Sequence, residues 1–393
     1  TYFWGAVMKP ELEREPIVYS PKLIEETEEL RDISFSEEDL YQVQHDVDYS
    51  EGESGQWYPK GESPILSELV EEGKLPPVNE RVGPEPVVIM GSDGLGNYGG
   101  TWHLVTNSPQ SVLDIQGWWM SGTTLVRWSP MGNPIVPHIA KCWEISADKK
   151  EWTFVLRKGM KWSDGHPFTA DDLLYWWEKE VKQESDAIPS WMKLKGEAGE
   201  ILKIDLHTVK FVFPHPHGLL LERLASTTEI FAPRHYLEKY HPELGDDALI
   251  EAAMKADKIP TRRALYAAKK LTNNPDHPRI WPWIYRTYKP NPPQTFVRNP
   301  YYWAVDTEGN QLPYVDRFMI DVKTANLVPI AASNGAITMQ TFNIYFLYYT
   351  LFMSQREAGG YDLYHWYPSG ITEWGLYPNL NRYVDPHDPS TQK

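Results

Sequence analysis

Residues 137–181 read PHIAKCWEISADKKEWTFVLRKGMKWSDGHPFTADDLLYWWEKEV. The first half alternates apolar and polar residues over Ala140–Ser146 and again over Glu151–Arg157, with the polar loop 147–150 between these two runs. Alternation with a period of two is typical of strands that have one face in water. The first half therefore predicts a β-hairpin of two antiparallel strands.

The second half of this stretch predicts a tight turn followed by a helix. Ser163–Gly165 is a turn sequence, because glycine tolerates positive φ and aspartate hydrogen-bonds to nearby backbone. Thr169 is a candidate N-cap, and Asp171 and Asp172 in the first turn compensate the positive end of the helix dipole. Helical spacing then gives one apolar stripe, formed by Leu173, Leu174, Trp176, Trp177 and Val181.

The order of these elements resembles one known family, the family 5 solute-binding proteins that serve ABC importers of peptides, nickel and oligosaccharides. The signature of that family runs from an Ala-x-x-Trp strand through a W-T-F-x-L-R strand to K-W-S-D-G-x-P-x-T-A-x-D. The matching residues in this chain are Ala140, Trp143, Trp152–Phe154, Leu156, Arg157, Lys161–Gly165, Pro167, Thr169, Ala170 and Asp172. The length and spacing of the match favour membership over chance convergence.

Three further segments extend the resemblance over most of the chain. Residues 63–78 are similar to the leader of a subgroup with a long N-terminus, and residues 98–102 are similar to the first core strand of the family. Residues 298–317 resemble the R-N-P-x-Y-W strand and the segment that follows it. Outside these motifs, periodicity predicts a second hairpin over Ile201–Phe213 and a last strand over Tyr361–Trp366.

The resemblance implies a mixed α/β fold, with sheets flanked by helices in the type II architecture of periplasmic binding proteins. Residues 95–118 and 200–366 are predicted to form a discontinuous lobe I, and residues 119–199 an inserted small domain. Residues 1–94 are predicted to be an acidic N-terminal extension with a Pro-rich tether. Residues 367–393 are expected to begin the connection to a second lobe, which would be largely missing from this sequence.

Charge and composition exclude some classes of function. The 393-residue chain has a net charge of −16, and residues 1–81 carry 20 acidic and 7 basic side chains. An acidic chain without a basic patch disfavours nucleic acids and anionic membrane surfaces as partners. The 17 Trp, 23 Tyr and 12 Phe residues mostly fill cores, and such an excess also suits a cleft that holds ligands by stacking.

The sequence predicts no cofactor and no metal site. Cys142 is the only cysteine and is expected to be a small buried thiol in the first strand of the hairpin. His207, His215 and His217 have no third ligand at metal-binding spacing, although some members of the resembling family carry nickel or haem. Gly94-x-Gly96-x-x-Gly99 satisfies a dinucleotide-binding pattern but leads into a predicted strand, and is therefore interpreted as a flexible entry turn.

No catalytic residue is predicted, because the sequence has neither a Gly-x-Ser-x-Gly elbow nor a supported Cys–His arrangement. Asp171 and Asp172 are an alternative pair of glycosidase carboxylates, but their place in the first turn of a helix favours dipole compensation. The resemblance instead implies ligand contacts where the chain crosses between lobes and after the last segments of lobe I. The predicted ligand-binding residues are Trp118, Trp119, Trp128, Tyr345, Tyr348, Trp366 and Trp374.

The resemblance implies a monomeric solute-binding component, not an enzyme, that captures an oligopeptide or an oligosaccharide and works with an ABC membrane permease. Its expected location is the periplasm or the extracellular face of the cytoplasmic membrane, with a lipid anchor as an open alternative. The high tryptophan content favours a sugar, whereas the family favours peptides, so both ligands stay open. A glycoside hydrolase with an aromatic cleft and a non-transport interaction scaffold are the alternatives from other classes.

Overall fold

A computed structural model of the chain describes residue 21 and residues 44–364, except 92–93, 130–133, 184–187, 228–229 and 288–292. The chain divides into two compact units. Unit 1 comprises residues 1–101 and 112–319, and unit 2 comprises residues 102–111 and 320–393. Sheets and helices alternate within the described residues, which confirms the predicted mixed α/β fold class.

Strands and helices are numbered in chain order. The strands are β1 (Gln44–His45), β2 (Val87–Ile89), β3 (Thr101–Thr106), β4 (Val126–Trp128), β5 (Ile135–Pro137), β6 (Ala140–Ile145), β7 (Glu151–Leu156), β8 (Lys193–Leu194), β9 (Glu197–Ala198), β10 (Glu200–Asp205), β11 (Thr208–Val212), β12 (Trp283–Tyr285), β13 (Gln294–Arg298), β14 (Ala304–Val305) and β15 (Arg317–Val322). The α-helices are α1 (Pro64–Glu71), α2 (Val78–Val82), α3 (Pro109–Ile115), α4 (Ala170–Tyr175), α5 (Leu220–Ser226), α6 (Arg234–Leu237), α7 (Asp247–Asp257), α8 (Arg262–Lys270), α9 (Val328–Ser333) and α10 (Tyr349–Gly359).

The two predicted hairpins join into one antiparallel sheet of four strands, in the order β10-β11-β7-β6. Trp152 lies opposite Ile145 on one side and Phe211 on the other, and Phe211 lies opposite Ile201. Trp152, Phe211 and Ile201 are all buried, so this row of side chains faces the core. The alternation in the sequence thus identifies both the strands and their apolar face.

Helix α4 begins where its capping residues predict. Thr169 and Asp172 form a capping box, in which each side chain accepts a hydrogen bond from backbone at the start of the helix. After Tyr175 the helix continues as a π-helical segment, Trp176–Val181. Leu173, Trp177 and Val181 are buried in the same core as the four-stranded sheet, which confirms the predicted apolar stripe.

Cys142 is exposed, so the prediction of a buried thiol is wrong. The register of β6 against β7 shifts between Ala140 and Cys142, which marks a β-bulge. A bulge inserts one extra residue and changes which side chains point to the core. Ala140 is buried, and the strict alternation that would also have buried Cys142 ends there.

Within the predicted N-terminal extension and tether, residues 44–91 form two strands and two α-helices. Strand β2 pairs antiparallel with β1 and parallel with β14. Pro77 is the N-cap residue of α2, so a helix begins within the predicted tether. Val78 and Val82 of this helix are buried with Trp57 and Val305.

Helix α1 also begins in an unexpected way. Ser63 is the N-cap residue of α1, but its side chain makes no capping hydrogen bond. Its hydroxyl instead donates to the Asp316 carboxylate (3.0 Å), which also pairs with Arg298 (2.9 Å). This contact ties the leader to the segment before β15.

The glycine-rich segment before β3 behaves as an entry turn. Gly94 and Gly99 have φ of +89° and +118°, which glycine adopts without steric cost. A Cβ atom on Gly96 would come within 2.3 Å of the Tyr314 ring. The backbone can therefore lie this close to the ring only because glycine has no side chain. The glycines lead into a strand, as predicted, and not into the helix that a dinucleotide site needs.

In unit 2, β3 and β15 are neighbouring strands, and α9 packs against α10. The predicted last strand is wrong over residues 361–364, which have no regular structure. Gly360 ends α10 in a left-handed conformation, and the Tyr361 N–H returns to the carbonyl of Arg356, so this segment closes the helix. In the part of the chain that the structure describes, no helix has the length and apolarity to cross a membrane.

Candidate functional site

Trp128 is the best-defined of the predicted ligand contacts. It ends β4, where it lies opposite Ile135 of β5. Its indole N–H donates to the hydroxyl of Ser226 at the end of α5 (3.1 Å), and 37% of its surface is exposed. The hydrogen bond limits rotation of the ring, so Trp128 presents an oriented aromatic surface. Ser226 lies 98 residues away in sequence and carries no motif, so sequence reasoning missed it.

Buried polar groups hold the chain before β4 in place. The His138 ring lies 3.0 Å from the carbonyl oxygen of Thr124 and packs 5.0 Å from the ring of Trp303. Burial, with nearby Arg127 and Arg157, lowers the pKa of His138 to about 3. The imidazole is therefore neutral at physiological pH and serves as a hydrogen-bonding spacer.

Arg157, which follows strand β7, also contacts the segment around His138. An arginine inside a strand commonly pairs with a carboxylate or covers an apolar face with its stem. In the structure its buried guanidinium donates to the carbonyl oxygens of His138 and Pro86 and to the hydroxyl of Tyr49. Burial lowers its pKa. Arg157 thus connects the hairpin to the leader mainly through backbone carbonyls.

Trp118 and Trp119 lie in a π-helical segment, Gln116–Met120, that follows α3. The Gln116 amide donates to the carbonyl of Thr272 (3.0 Å), and the Ser121 hydroxyl donates to the carbonyl of Gly117 (2.8 Å). Trp119 is partly buried, and the side chain of Trp118 lies outside the described residues. π-Helical turns are rare and often occur at functional sites.

Tyr345 and Tyr348 belong to unit 2, beside the short 3-10 turn Phe346–Tyr348. Tyr345 is 56% exposed, and its hydroxyl accepts from the Asn343 amide (3.3 Å). Between the tyrosines, Phe346 and Leu347 are 79% and 83% exposed, and sequence reasoning missed both. The predicted contacts that the structure describes thus lie in both units, while Trp366 and Trp374 lie outside the described residues.

Both carboxylates at the start of α4, those of Asp171 and Asp172, have partners within the protein. Asp172 is buried and accepts hydrogen bonds from the backbone N–H groups of Thr169 (2.9 Å) and Arg234 (3.1 Å) and from the indole of Trp162 (3.2 Å). Burial raises its pKa, and these hydrogen bonds oppose the rise. Asp171 instead pairs with Lys203 (2.7 Å). This arrangement supports a role in positioning the helix and gives no support to a glycosidase pair.

The histidines that were considered as metal ligands have other contacts. One ring nitrogen of His217 is hydrogen-bonded to the carbonyl oxygen of Trp191 (2.9 Å). The other ring nitrogen accepts a hydrogen bond from the N–H of Leu219 (3.3 Å). His215 lies 3.4 Å from the carboxylate of Glu197. Among the described residues, no group of three or more His, Cys, Asp or Glu side chains has metal-binding geometry.

Comparisons with known proteins agree on one family. The family described as bacterial extracellular solute-binding proteins, family 5 Middle, matches residues 134–366. A periplasmic alpha-galactoside-binding protein from Rhizobium meliloti is 31% identical over 287 residues, covering 66% of this chain and 38% of the relative. The chain also resembles two solved structures that cover most of it.

The first is an oligopeptide-binding protein OppA, which is 35% identical with a TM-score of 0.72, covering 78% of this chain and 49% of that one. The second is the periplasmic binding protein MelB from Agrobacterium fabrum in complex with stachyose, with 26% identity, a TM-score of 0.54 and coverage of 75% and 47%. The chain thus spans half or less of the length of these relatives. Its fold is that of periplasmic binding proteins, and it belongs to the family 5 bacterial extracellular solute-binding proteins.

Proposed function

We propose that this chain takes part in the reversible capture of an oligosaccharide of the alpha-galactoside class by the solute-binding component of an ABC importer. The family consists of solute-binding proteins and not of enzymes. The alpha-galactoside-binding relative matches two thirds of the chain, and a structural neighbour holds the tetrasaccharide stachyose. These similarities favour a sugar of two to four units.

The observation that carries the proposal is the oriented, part-exposed indole of Trp128. A pyranose ring has an apolar C–H face that packs on a flat aromatic surface, and its hydroxyls need polar neighbours. A tryptophan that is fixed by its own N–H provides such a surface with little loss of side-chain entropy on binding. Trp118, Trp119, Tyr345, Tyr348, Trp366 and Trp374 remain proposed further ligand contacts.

An oligopeptide is the second candidate ligand. The structural neighbour with a TM-score of 0.72 is named as an oligopeptide-binding protein. A peptide would be held chiefly by main-chain hydrogen bonds to strand edges, with aromatic side chains covering its substituents. Stacking on Trp128 would then matter less than it does for a sugar.

Isothermal titration calorimetry with melibiose, raffinose and stachyose, and with tri- and tetraalanine, separates the two candidates. We expect at least one galactoside to bind, and Trp128→Ala to weaken it about tenfold or more because the stacking surface is lost. Binding of peptides alone would replace the sugar proposal with the peptide one. Absence of binding to both sets would contradict ligand capture by this chain.

Two conservative variants identify the physical role of Trp128. Trp128→Phe keeps an aromatic face and loses the N–H donor, whereas Ser226→Ala keeps the indole and removes only its acceptor. We expect both to weaken galactoside binding less than Trp128→Ala does, with Ser226→Ala closest to the parent. Equal losses in all three variants would indicate a structural defect and not a stacking role.

The remaining parts of the proposal follow the relatives. The alpha-galactoside-binding relative is named as periplasmic, and we propose a location outside the cytoplasm, with or without a lipid anchor, for this chain. A membrane permease is the proposed partner, and a monomer the proposed state. We also retain the proposed division into lobe I (residues 95–118 and 200–366) and an inserted domain (residues 119–199).

A further inference from the structure

A cavity of about 250 Å³ lies within unit 1. Much of its described wall is aromatic, with Trp162, Trp176, Phe231 and Trp281 among the lining side chains. None of the predicted ligand contacts is among the described lining residues. Ligand pockets commonly have volumes of roughly 300–1,000 Å³, so a cavity of this size suits a single small ring.

His277 lines this cavity and is only 6% exposed. Both ring nitrogens are buried, and neither has a hydrogen-bond partner in the part of the chain that the structure describes. The ring packs 5.6 Å from that of Tyr236, whose hydroxyl accepts from the Asn274 amide. A buried polar group without a partner is costly, and such groups in folded proteins generally meet water or a ligand. His277 is therefore the group through which the cavity would recognise a ligand.

The charged side chains of the described lining are engaged within the protein. Lys270 pairs with Glu180, which also accepts from the hydroxyl of Tyr266. Arg279 donates one N–H to the carbonyl oxygen of Leu271 (2.9 Å). Recognition is therefore assigned to the imidazole and to the apolar wall, and not to a charge.

The imidazole of His277 selects for one kind of hydrogen-bonding chemistry. Burial lowers its pKa well below the usual value, and Arg279, Lys270 and His235 lower it further, so the ring is neutral at physiological pH. A neutral imidazole has one N–H donor and one bare nitrogen that accepts. A ligand that satisfies both must bring one group that accepts and one that donates. A hydroxyl does either, so a ring that carries several hydroxyls can meet both nitrogens.

We propose that this cavity binds one pyranose ring, either a free monosaccharide or the end unit of an oligosaccharide. Its hydroxyls exchange hydrogen bonds with the two ring nitrogens of His277, and its C–H groups pack against the aromatic wall. A pyranose combines these two kinds of group on one small neutral ring. The site does not include Trp128 and does not depend on solute capture there.

The test uses the full chain and follows the imidazole nitrogens directly, by long-range proton–nitrogen NMR of the isotope-labelled protein. The resonances of His277 are those that disappear in His277→Phe. Methyl α-galactoside and methyl α-glucoside are the probes, and we expect at least one of them to shift these resonances. Tetrahydropyran-2-methanol is the matched control, since it keeps the ring and one hydroxyl but lacks the hydroxyls on the ring. It should bind about tenfold or more weakly, because hydrogen bonds to the imidazole are lost.

His277→Phe keeps an aromatic ring and removes both unpartnered nitrogens. We expect a melting temperature no lower than that of the parent, and an affinity for the methyl glycoside about tenfold lower by saturation-transfer NMR. His277→Gln keeps a donor and an acceptor and should lose less affinity than His277→Phe. His103→Phe, at an exposed histidine of unit 2, is the matched control and should bind as the parent does. Each affinity is measured with and without Trp128→Ala, so that a failure of the proposed solute capture stays distinguishable.

Raffinose separates the two sources of the sugar ring. Shifts of the His277 resonances at lower concentrations of raffinose than of the methyl glycosides would identify the end unit of an oligosaccharide. Shifts by the methyl glycosides alone would identify a free monosaccharide. Unchanged His277 resonances with every sugar, equal binding of tetrahydropyran-2-methanol, or unchanged affinity in His277→Phe would overturn the proposal.

Discussion

Two buried charges in unit 1 are stabilised in opposite ways. Asp172, at the start of α4, is 3% exposed and accepts three hydrogen bonds from neutral N–H groups. Arg81, in α2 of the leader, is fully buried and pairs with a second charge, the carboxylate of Glu62. Its other acceptors are the Gln311 amide (2.9 Å) and the carbonyl oxygens of Pro76 and Pro300.

The comparison shows what each charge depends on. The donors to Asp172 are two backbone N–H groups and one indole N–H, all of them neutral. They remain in place when the carboxylate is protonated or replaced. Arg81 depends on a partner whose own burial is costly, since burial raises the pKa of Glu62 while Arg81 lowers it. Removing one member of such a pair leaves the other buried without compensation. The two sites should therefore differ in the size and in the pH dependence of their mutational effects.

The largest effect is expected for Arg81→Met. This substitution keeps part of the apolar stem but leaves Glu62, Gln311 and two carbonyl groups without their donor. Breaking a buried pair in this way costs about 3–5 kcal/mol of the free energy of unfolding. Urea denaturation, followed by far-ultraviolet circular dichroism at pH 7, measures the loss.

A double substitution gives the control for Arg81. Arg81→Met combined with Glu62→Gln removes both charges, so it should recover part of the stability that Arg81→Met alone loses. Arg81→Lys keeps the charge without the planar fork and should be intermediate. A loss below about 1 kcal/mol in Arg81→Met would mean that the leader contributes little to the fold.

The next effect in size is expected for Asp172→Asn. One carboxylate oxygen accepts two N–H groups, from Thr169 and Trp162, and the other accepts the N–H of Arg234. An amide of the same shape must direct its NH₂ group at one of these donors, which costs about 1–3 kcal/mol. Thermal and urea unfolding of the variant measure this cost.

The pH dependence of this cost has a definite sign. Burial raises the pKa of Asp172 above its unfolded value, so the folded state holds a proton more tightly than the unfolded state does. Stability from this group therefore decreases as the pH rises from about 4 through the folded pKa. The destabilisation by Asp172→Asn should shrink over that range and then level off. A cost that grows with pH would show that the three hydrogen bonds outweigh burial.

Local patterns in the sequence predict the hairpin-turn-helix segment well. The strands, the loop 147–150 and the cap at Thr169 depend on neighbouring residues, and the structure confirms each of them. The bulge at Cys142 was not predictable, because it depends on how β6 registers against β7. The two aspartates are direct neighbours in sequence, but Asp172 takes the capping-box position and also accepts from the N–H of Arg234, whereas Asp171 pairs with Lys203.

The leader depends on contacts between residues that are distant in sequence. Ser63 meets Asp316 across 253 positions, and Arg81 meets Gln311 across 230. An acidic, weakly periodic segment predicts a solvated extension when such partners are unknown. Trp128 is predicted through the family resemblance, whereas its partner Ser226 lies in no motif.

A smaller effect is expected for Ser63→Ala, which tests whether the leader is held at α1 as well as at α2. The hydroxyl donates to a carboxylate that Arg298 already neutralises, so its loss leaves no unpaired charge. A single hydrogen bond of this kind contributes about 1 kcal/mol to the free energy of unfolding. Ser67→Ala, in the same helix, is a control of the same chemistry. Equal effects of both substitutions would show that the change in helix composition, and not the contact with Asp316, sets the cost.

The smallest effect is expected for Asp171→Asn, the direct neighbour of Asp172. Its carboxylate is about one third exposed, pairs with Lys203 across 2.7 Å, and lies near the positive end of the α4 dipole. Exposed ion pairs and helix-end charges each contribute only about 0.3–1 kcal/mol, and salt screens both. We therefore expect a loss of about 0.5 kcal/mol in low salt that mostly disappears in 1 M sodium chloride. The cost of Asp172→Asn should persist in the same salt, because hydrogen bonds to a buried oxygen are not screened. If both losses vanished in salt, burial would not be what distinguishes these two adjacent aspartates.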